Sequence, residues 1–334
     1  MIAIGIVGRG LMARTHALRY ARLPNAAVVG VAARGRPTDF ATEVTDGATA
    51  YPDAETMFAD ADLDAVDICT PTDTHRELVE AAVDHGLAIR CEKPLARTLT
   101  DSRAIVDAVT AADVPFCPGH VVRFFPEYET AKRRIDDGVI GTVGNVRAFR
   151  ESPFAALGSW YQNRARSGGA LFDLALHDFD FLRWVCGDVE RVFARRSVVG
   201  NEEYALTTLR FADGTVGHVD SRWSDREDGE LLTRFEFSGT DGHINYDSTE
   251  SNPIEVKRGE VPPLSDPVEM PLATDPYTRQ LEHFLACVEG DATPRVTAAD
   301  ALESVTVGLA ALDSVERGEP VYVDEFDGIA GGTS

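Results

Sequence analysis

Cysteine is scarce: five residues in 334, standing singly at positions 69, 91, 117, 186 and 287. So sparse a set excludes a disulfide-stapled scaffold, and no CxxC or Cys/His cluster has zinc spacing, so no metal is expected. Cys69, Cys91 and Cys117 fall in or beside apolar runs and read as small core residues of a reducing compartment. Long apolar runs are missing too. None approaches ~18 residues, and residues 1–8 lack the basic lead-in of a secretory signal, so the expectation is a soluble cytoplasmic protein with no membrane partner.

Positive charge is in short supply. Asp and Glu number 55 against 32 for Lys and Arg, a formal net charge of −23. Such a surface repels phosphate backbones, which excludes a nucleic-acid partner. Exposed carboxylates repel one another across ~30 Å at 0.01 M salt and far less in concentrated salt. The composition therefore predicts a protein adapted to high salt, as in a halophile; a GC-rich genome would likewise favour Arg over Lys. Only three lysines are present, Lys93, Lys132 and Lys257, so one at a chemically suggestive position carries extra weight.

What remains is ample for folding. At 44% hydrophobic residues the chain can bury full cores, and its length suggests two domains of ~100–200 residues. The first residues, Ile2-Ala3-Ile4-Gly5-Ile6-Val7, form an apolar run suited to a strand buried on both faces. Gly8-Arg9-Gly10-Leu11-Met12-Ala13 follows, then a helical stretch. This is a G-x-G-x-x-A fingerprint in a strand–turn–helix setting. Gly8 permits the tight turn, Gly10 lets the backbone approach a pyrophosphate, and Ala13 allows close helix–strand packing. With Leu11 and Met12 these residues are the expected phosphate-binding segment, because a helix N-terminus attracts an anion.

A second strand ends at Ala33-Arg34-Gly35-Arg36. An NAD enzyme usually places Asp or Glu there to bind the ribose 2′-hydroxyl. Ala33 occupies that place, and Arg34 and Arg36 can grip a 2′-phosphate, which favours NADP and leaves NAD possible. Further βα units follow, with strands at 65–69, 87–91 and 115–119 and helices at 76–85 and 99–112. They predict an N-terminal Rossmann domain, a doubly wound parallel sheet over residues 1–120 that binds ligands beyond the carboxyl ends of its strands. Glu92-Lys93-Pro94 lies at one such end.

From Arg147 onwards the pattern changes. Segments 143–149, 192–198, 205–212, 216–221 and 233–239 read as β, with Asp213-Gly214 as a hairpin turn. Consecutive strands without helices predict a C-terminal α+β domain, 121–334, with a largely antiparallel sheet. An open sheet face must be covered, so a homodimer or homotetramer through that sheet is expected. Residues 169–186 read as one helix, which sets Asp173, His177, Asp180 and Trp184 on a single stripe. Asp178 and Arg183 point elsewhere. Asp173 and His177, one turn apart, can pair, and the carboxylate would orient the imidazole as a base.

These motifs together resemble the Gfo/Idh/MocA oxidoreductases: Gly8-x-Gly10-x-x-Ala13 with Thr15-His16, Thr70-Pro71 with His75, Glu92-Lys93-Pro94, and Gly168-Gly169-Ala170-Leu171-Phe172-Asp173 through His177-Asp178. The tail from Ala298 to Val321 resembles the family's last helix and strand. The resemblance covers nearly the whole chain and implies an NAD(P)-dependent dehydrogenase or reductase of a sugar, inositol or related polyol. It also implies that Thr70, Pro71, His75, Glu92 and Lys93 line the cofactor site.

Oxidising a secondary alcohol requires hydride departure, proton loss and stabilisation of the developing oxyanion. Lys93 would supply the cation and His177, oriented by Asp173, the base; the two would titrate as a coupled set, so either could take the proton. Glu92 would orient Lys93 or the nicotinamide pocket. Substrate contacts are expected from Lys93, His120, Arg123, Asp173 and His177, although a domain-junction ion pair suits Arg123 as well. Two other readings stand beside this one: a redox-neutral enzyme that retains its dinucleotide, and a non-catalytic dinucleotide sensor. The sensor would have no need of Lys93, Asp173 and His177 together.

Overall fold

The computed structural model describes residues 1–35, 37–45, 47–153, 159–225, 230–250, 254–258 and 275–326. The chain divides into two units, Met1–Phe124 with Ala273–Leu302, and Phe125–Leu272 with Glu303–Ser334.

In the first unit, strands β1 (Ile2–Val7), β2 (Ala26–Ala32), β3 (Thr49–Tyr51), β4 (Ala65–Ile68), β5 (Ala88–Cys91) and β6 (Phe116–Pro118) form one sheet in the order β3-β2-β1-β4-β5-β6. Every neighbouring pair is parallel. The strands bury both faces, which is why β1 and β4 are nearly continuous in apolar residues. Helices α1 (Leu11–Tyr20), α2 (Pro37–Val44), α3 (Ala54–Asp60), α4 (His75–Asp84) and α5 (Leu99–Ala112) alternate with them. The strand order reverses beside β1, so the carboxyl ends of β1 and β4 flank the switch point where this architecture binds ligands.

The second unit carries α6 (Pro126–Asp136), α7 (Arg164–Ser167) and α8 (Leu176–Cys186). Its strands are β7 (Val143–Pro153), β8 (Val189–Val199), β9 (Glu202–Phe211), β10 (Val216–Ser224), β11 (Leu232–Gly239), β12 (Gly242–Asp247), β13 (Ile254–Arg258) and β14 (Val321–Tyr322). They form a sheet in the order β13-β12-β11-β7-β10-β9-β8-β14, antiparallel throughout except that β7 pairs with β10 in parallel. Alternation sets its faces. In β9 the residues Glu203, Ala205, Thr207, Leu209 and Phe211 are buried, while Leu206 faces out. The inner face is covered by α8 and by aromatic packing of Tyr128 and Phe181 against Phe235.

A continuous second domain over 121–334 does not describe this division. Helix α9 (Pro276–Glu289) and the start of α10 (Ala298–Arg317) belong with the first unit. The apolar stripe Leu281, Phe284, Leu285 and Cys287 of α9 joins Ala13, Ala17 and Tyr20 of α1 in one core cluster. Among the described residues no helix is long and apolar enough to cross a membrane.

Candidate active site

The turn after β1 fits its expected use. Gly8 adopts φ +118°, and a Cβ there would stand 2.3 Å from the Cys69 carbonyl oxygen, so β1 and β4 can close together only with glycine at that position. At Gly10 a Cβ would meet nothing within 4 Å and would project into open space. Gly10 is the N-cap of α1, no side chain caps it, and the first turn holds no acidic residue. The first amides of α1 are therefore left for another acceptor, as a pyrophosphate requires. Ala13 is fully buried, Met12 half-buried and Leu11 largely exposed. These residues fit a dinucleotide. At the end of β2, Ala33 is buried and Arg34 exposed; the Arg9 guanidinium lies 3.2 Å from where a Cβ on Gly35 would sit. Arg36 lies outside the described residues.

Beneath this turn is a buried polar network. Asp67 of β4 and Arg90 of β5 are register partners, each a charge inside an apolar strand. The Arg90 Nη1 donates to Asp67 Oδ1 (2.9 Å), and Nη2 donates to Glu92 Oε1 and to Gln280 Oε1 of α9 (both 2.8 Å). His16 Nδ1 lies 2.9 Å from Asp67 Oδ2, its Nε2 lies 3.6 Å from Glu92 Oε1, and the Tyr20 hydroxyl donates to Asp67 Oδ2 (3.2 Å). Burial alone would raise both carboxyls, but Arg90 and His16 outweigh it and hold Asp67 and Glu92 below the usual range. Burial, with Asp67 close by, pushes the Tyr20 phenol and the Cys69 thiol up, so both stay protonated.

The network ends at Lys93, which is half-buried past the end of β5. The Lys93 backbone N–H donates to Glu92 Oε2 (3.3 Å). Gly119 sits directly behind, where a Cβ would stand 2.9 Å from Glu92 Cα and 3.0 Å from the Lys93 nitrogen. No residue with a side chain fits there without moving Lys93. Thr70 and Pro71 are half-buried at the end of β4, and the Thr74 hydroxyl donates to Thr70 Oγ1 (2.8 Å).

Three expected contacts sit differently. His75 is fully buried; its Nδ1 lies 2.9 Å from the Pro94 oxygen and its Nε2 3.0 Å from the Thr70 oxygen. Desolvation lowers its proton affinity. Both ring nitrogens face backbone carbonyls, which sets His75 between the Lys93 loop and the Thr70 loop. Arg123 is buried, 3.6 Å from Asp300, and its carbonyl accepts from Arg295 Nη1 (3.0 Å). These contacts tie Arg123 to the returning segment 273–302. His120, next to Gly119, is buried as well.

Asp173 and His177 belong to the second unit. Gly168 and Gly169 both take positive φ (+81° and +76°). They lead into one π-helical turn, Ala170–Leu174, before α8 begins. The predicted single helix is thus broken in phase, and the four-residue stripe does not survive. Asp173 is buried and His177 half-buried. Asp180 turns into the core, where Ser304 Oγ donates to it (3.2 Å), and Asp178 takes a bidentate pair from Arg150 (2.8 and 3.0 Å). Trp184 stacks against Lys132.

His16, Cys69 and Glu92 could supply metal ligands, their donor atoms lying within 4.8 Å of one another. The Arg90 guanidinium already fills Glu92 Oε1, and a cation placed there would meet that charge at close range.

Residues 2–120 match the oxidoreductase family with an NAD-binding Rossmann fold, and residues 128–245 match the GFO/IDH/MocA C-terminal domain. The chain is 31% identical over 272 residues to scyllo-inositol 2-dehydrogenase (NAD(+)) of Bacillus subtilis (strain 168), covering 78% of each chain. It is 30% identical over 336 residues to inositol 2-dehydrogenase of Rhizobium meliloti (strain 1021), covering 96% of this chain and 99% of that one. Among solved structures, levoglucosan dehydrogenase in complex with NADH and L-sorbose superposes with a TM-score of 0.85 at 25% identity, covering 96% of this chain and 98% of that one.

Proposed function

Because the chain belongs to the Gfo/Idh/MocA family of oxidoreductases, we propose that it moves a hydride between a nicotinamide cofactor and a sugar, inositol or related polyol in the cytoplasm. The observation that carries this reading is the turn of Gly8 and Gly10 before an uncapped α1, in the same unit as the strand end bearing Lys93. When bound, the nicotinamide ring supplies or takes the hydride. Gly8, Gly10, Leu11, Met12 and Ala13 hold the phosphates, with Thr70 and Pro71 beside them. Lys93 supplies a cation for the developing oxyanion, Glu92 orients it, and His177 with Asp173 supplies a base.

The cofactor in this reading is NADP. Ala32, Ala33, Arg34 and Gly35 bring no carboxylate to the end of β2, and Arg9 and Arg34 can pair with a 2′-phosphate. The test is an absorbance assay of purified protein with cyclitols and aldoses, using NADP and NAD in parallel, together with fluorescence titration of NADPH and NADH. Expected are turnover on some of these polyols, binding of NADPH about tenfold tighter than NADH, and reversal of that preference in Arg34→Glu. Tight NADPH binding with no turnover on any polyol would overturn the dehydrogenase reading.

The proposal extends to high salt and to a second copy of the chain. A formal charge of −23 on 334 residues and the exposed Val198, Val199, Leu206 and Val216 on the second-unit sheet support it. From ~0.1 M to ~1 M salt the screening length falls from ~10 Å to ~3 Å. Circular dichroism and light scattering along a KCl titration should show a folded multimer at high salt and loss of fold at the low end. A folded monomer at both ends would contradict it.

A further inference from the structure

Glu203 is a carboxylate where the strand pattern calls for an apolar side chain. It shares the buried face of β9 with Ala205, Leu209 and Phe211 and has no exposed surface. Its Oε2 accepts from Arg164 Nε at 2.7 Å, and its Oε1 lies 3.5 Å from the Leu171 amide. Burying a charge in this way is costly unless the group is paired, and Arg164 pairs it.

The carboxylate is also pressed against one glycine. A Cβ on Gly169 would stand 2.5 Å from Glu203 Oε1 and 2.7 Å from Oε2. Gly169 therefore answers two demands, a φ of +76° and the approach of Glu203. Its carbonyl accepts from the Asp173 amide (2.8 Å), and the Ala175 amide donates to the Ala170 carbonyl (2.9 Å), closing the π turn. Arg164 sits on the other side of the glycine pair, in α7, whose start is capped by Asn163 (3.1 Å to the Ala165 amide).

We propose that Glu203, clamped by Arg164, is a positioning residue for Asp173 and His177: it holds Gly169 and the amide of Leu171 so that the π turn forms and sets the phase at which α8 begins. A regular helix across these residues would rotate Asp173 relative to His177, and misplacement by about 1 Å can cost ~10²-fold in rate. The inference rests on the roles given above to Asp173 and His177, and its physical part can be tested without them.

Glu203→Gln keeps the shape and removes the charge. Hydrogen exchange of the full-length protein should show the amides of Ala170–Leu174 exchanging at least about tenfold faster, with those of α8 beyond Phe179 unchanged. The kcat should fall about 10- to 100-fold, with KM and NADPH affinity within about twofold. Arg164→Lys should recover much of what Arg164→Met loses. Glu203→Asp withdraws the carboxylate and should make Gly169→Ala less damaging in the double variant than alone. Unchanged exchange at Ala170–Leu174 in Glu203→Gln, or strict additivity of Glu203→Asp with Gly169→Ala, overturns the proposal. If exchange accelerates while wild-type and His177→Gln proteins turn over alike, the positioning stands and the role of His177 falls.

Discussion

Lys93→Met should lower turnover by ~10²–10⁴ while NADPH binds almost as it does to the wild type, because methionine keeps an unbranched apolar stem of similar size and removes the ammonium with its charge and protons. The position is built to make that substitution clean. The backbone at Lys93 is fixed by Gly119 behind it and by the Glu92 carboxylate on its amide. The same loop packs on His75, whose ring nitrogens lie 2.9 Å from the Pro94 oxygen and 3.0 Å from the Thr70 oxygen. None of these anchors uses the ammonium. Lys93→Arg separates two roles: arginine keeps the positive charge but cannot give up a proton near neutrality. Should Lys93 act chiefly on the oxyanion, arginine recovers part of the loss; should it carry the proton, arginine is as poor as methionine, and His177→Gln then costs less than Lys93→Met. Steady-state kinetics with the best substrate from the polyol panel, paired with a fluorescence titration for the cofactor, decide the matter. Wild-type turnover in Lys93→Met would remove Lys93 from the chemistry.

The parts of this fold that could be read from the chain are those determined by neighbours in sequence. An apolar run, two glycines and an alanine spell a strand, a turn and a helix within 20 residues, and the structure has β1, Gly8, Gly10 and α1 in those places. Alternation gave β9 and β10 their buried faces for the same reason. What was hidden depends on partners far along the chain. Nothing in the stripe of α9 says which sheet it covers, and it returns to the first unit. Asp67 and Arg90 each stand out as a charge in an apolar strand, but their pairing requires knowing that β4 and β5 are adjacent in register. Glu203 carried the same signal, a charge on the buried phase of a strand. The π turn carried none, because Gly169, its N-cap, is pressed by Glu203 from far along the chain; Asp180, expected on the stripe with Asp173, lies in the core against Ser304.

The second large effect is on stability. Arg90 is the only guanidinium contacting Asp67 and Glu92 in the described network, and all three are buried. Arg90→Met leaves two buried carboxylates with His16 as their remaining basic neighbour, and breaking such a buried arrangement costs about 3–5 kcal/mol. The pH dependence tells this apart from a simple packing loss. In the wild type both carboxyls are held below their ordinary range in the folded state. Their contribution is therefore fully present above the unfolded carboxylate pKa of ~4 and is lost as pH falls below it. In Arg90→Met the desolvation that Arg90 had offset becomes dominant, and the folded-state values rise above the unfolded ones. The variant then binds protons on folding, so its stability increases as pH falls from neutrality towards ~5 while the wild type holds steady. Urea unfolding at a series of pH values, in salt high enough to screen the surface but not the buried groups, should show the two curves converging toward acid. Parallel curves separated by a constant gap would mean that Arg90 contributes volume alone, and that Glu92 reaches Lys93 without a charged network beneath it.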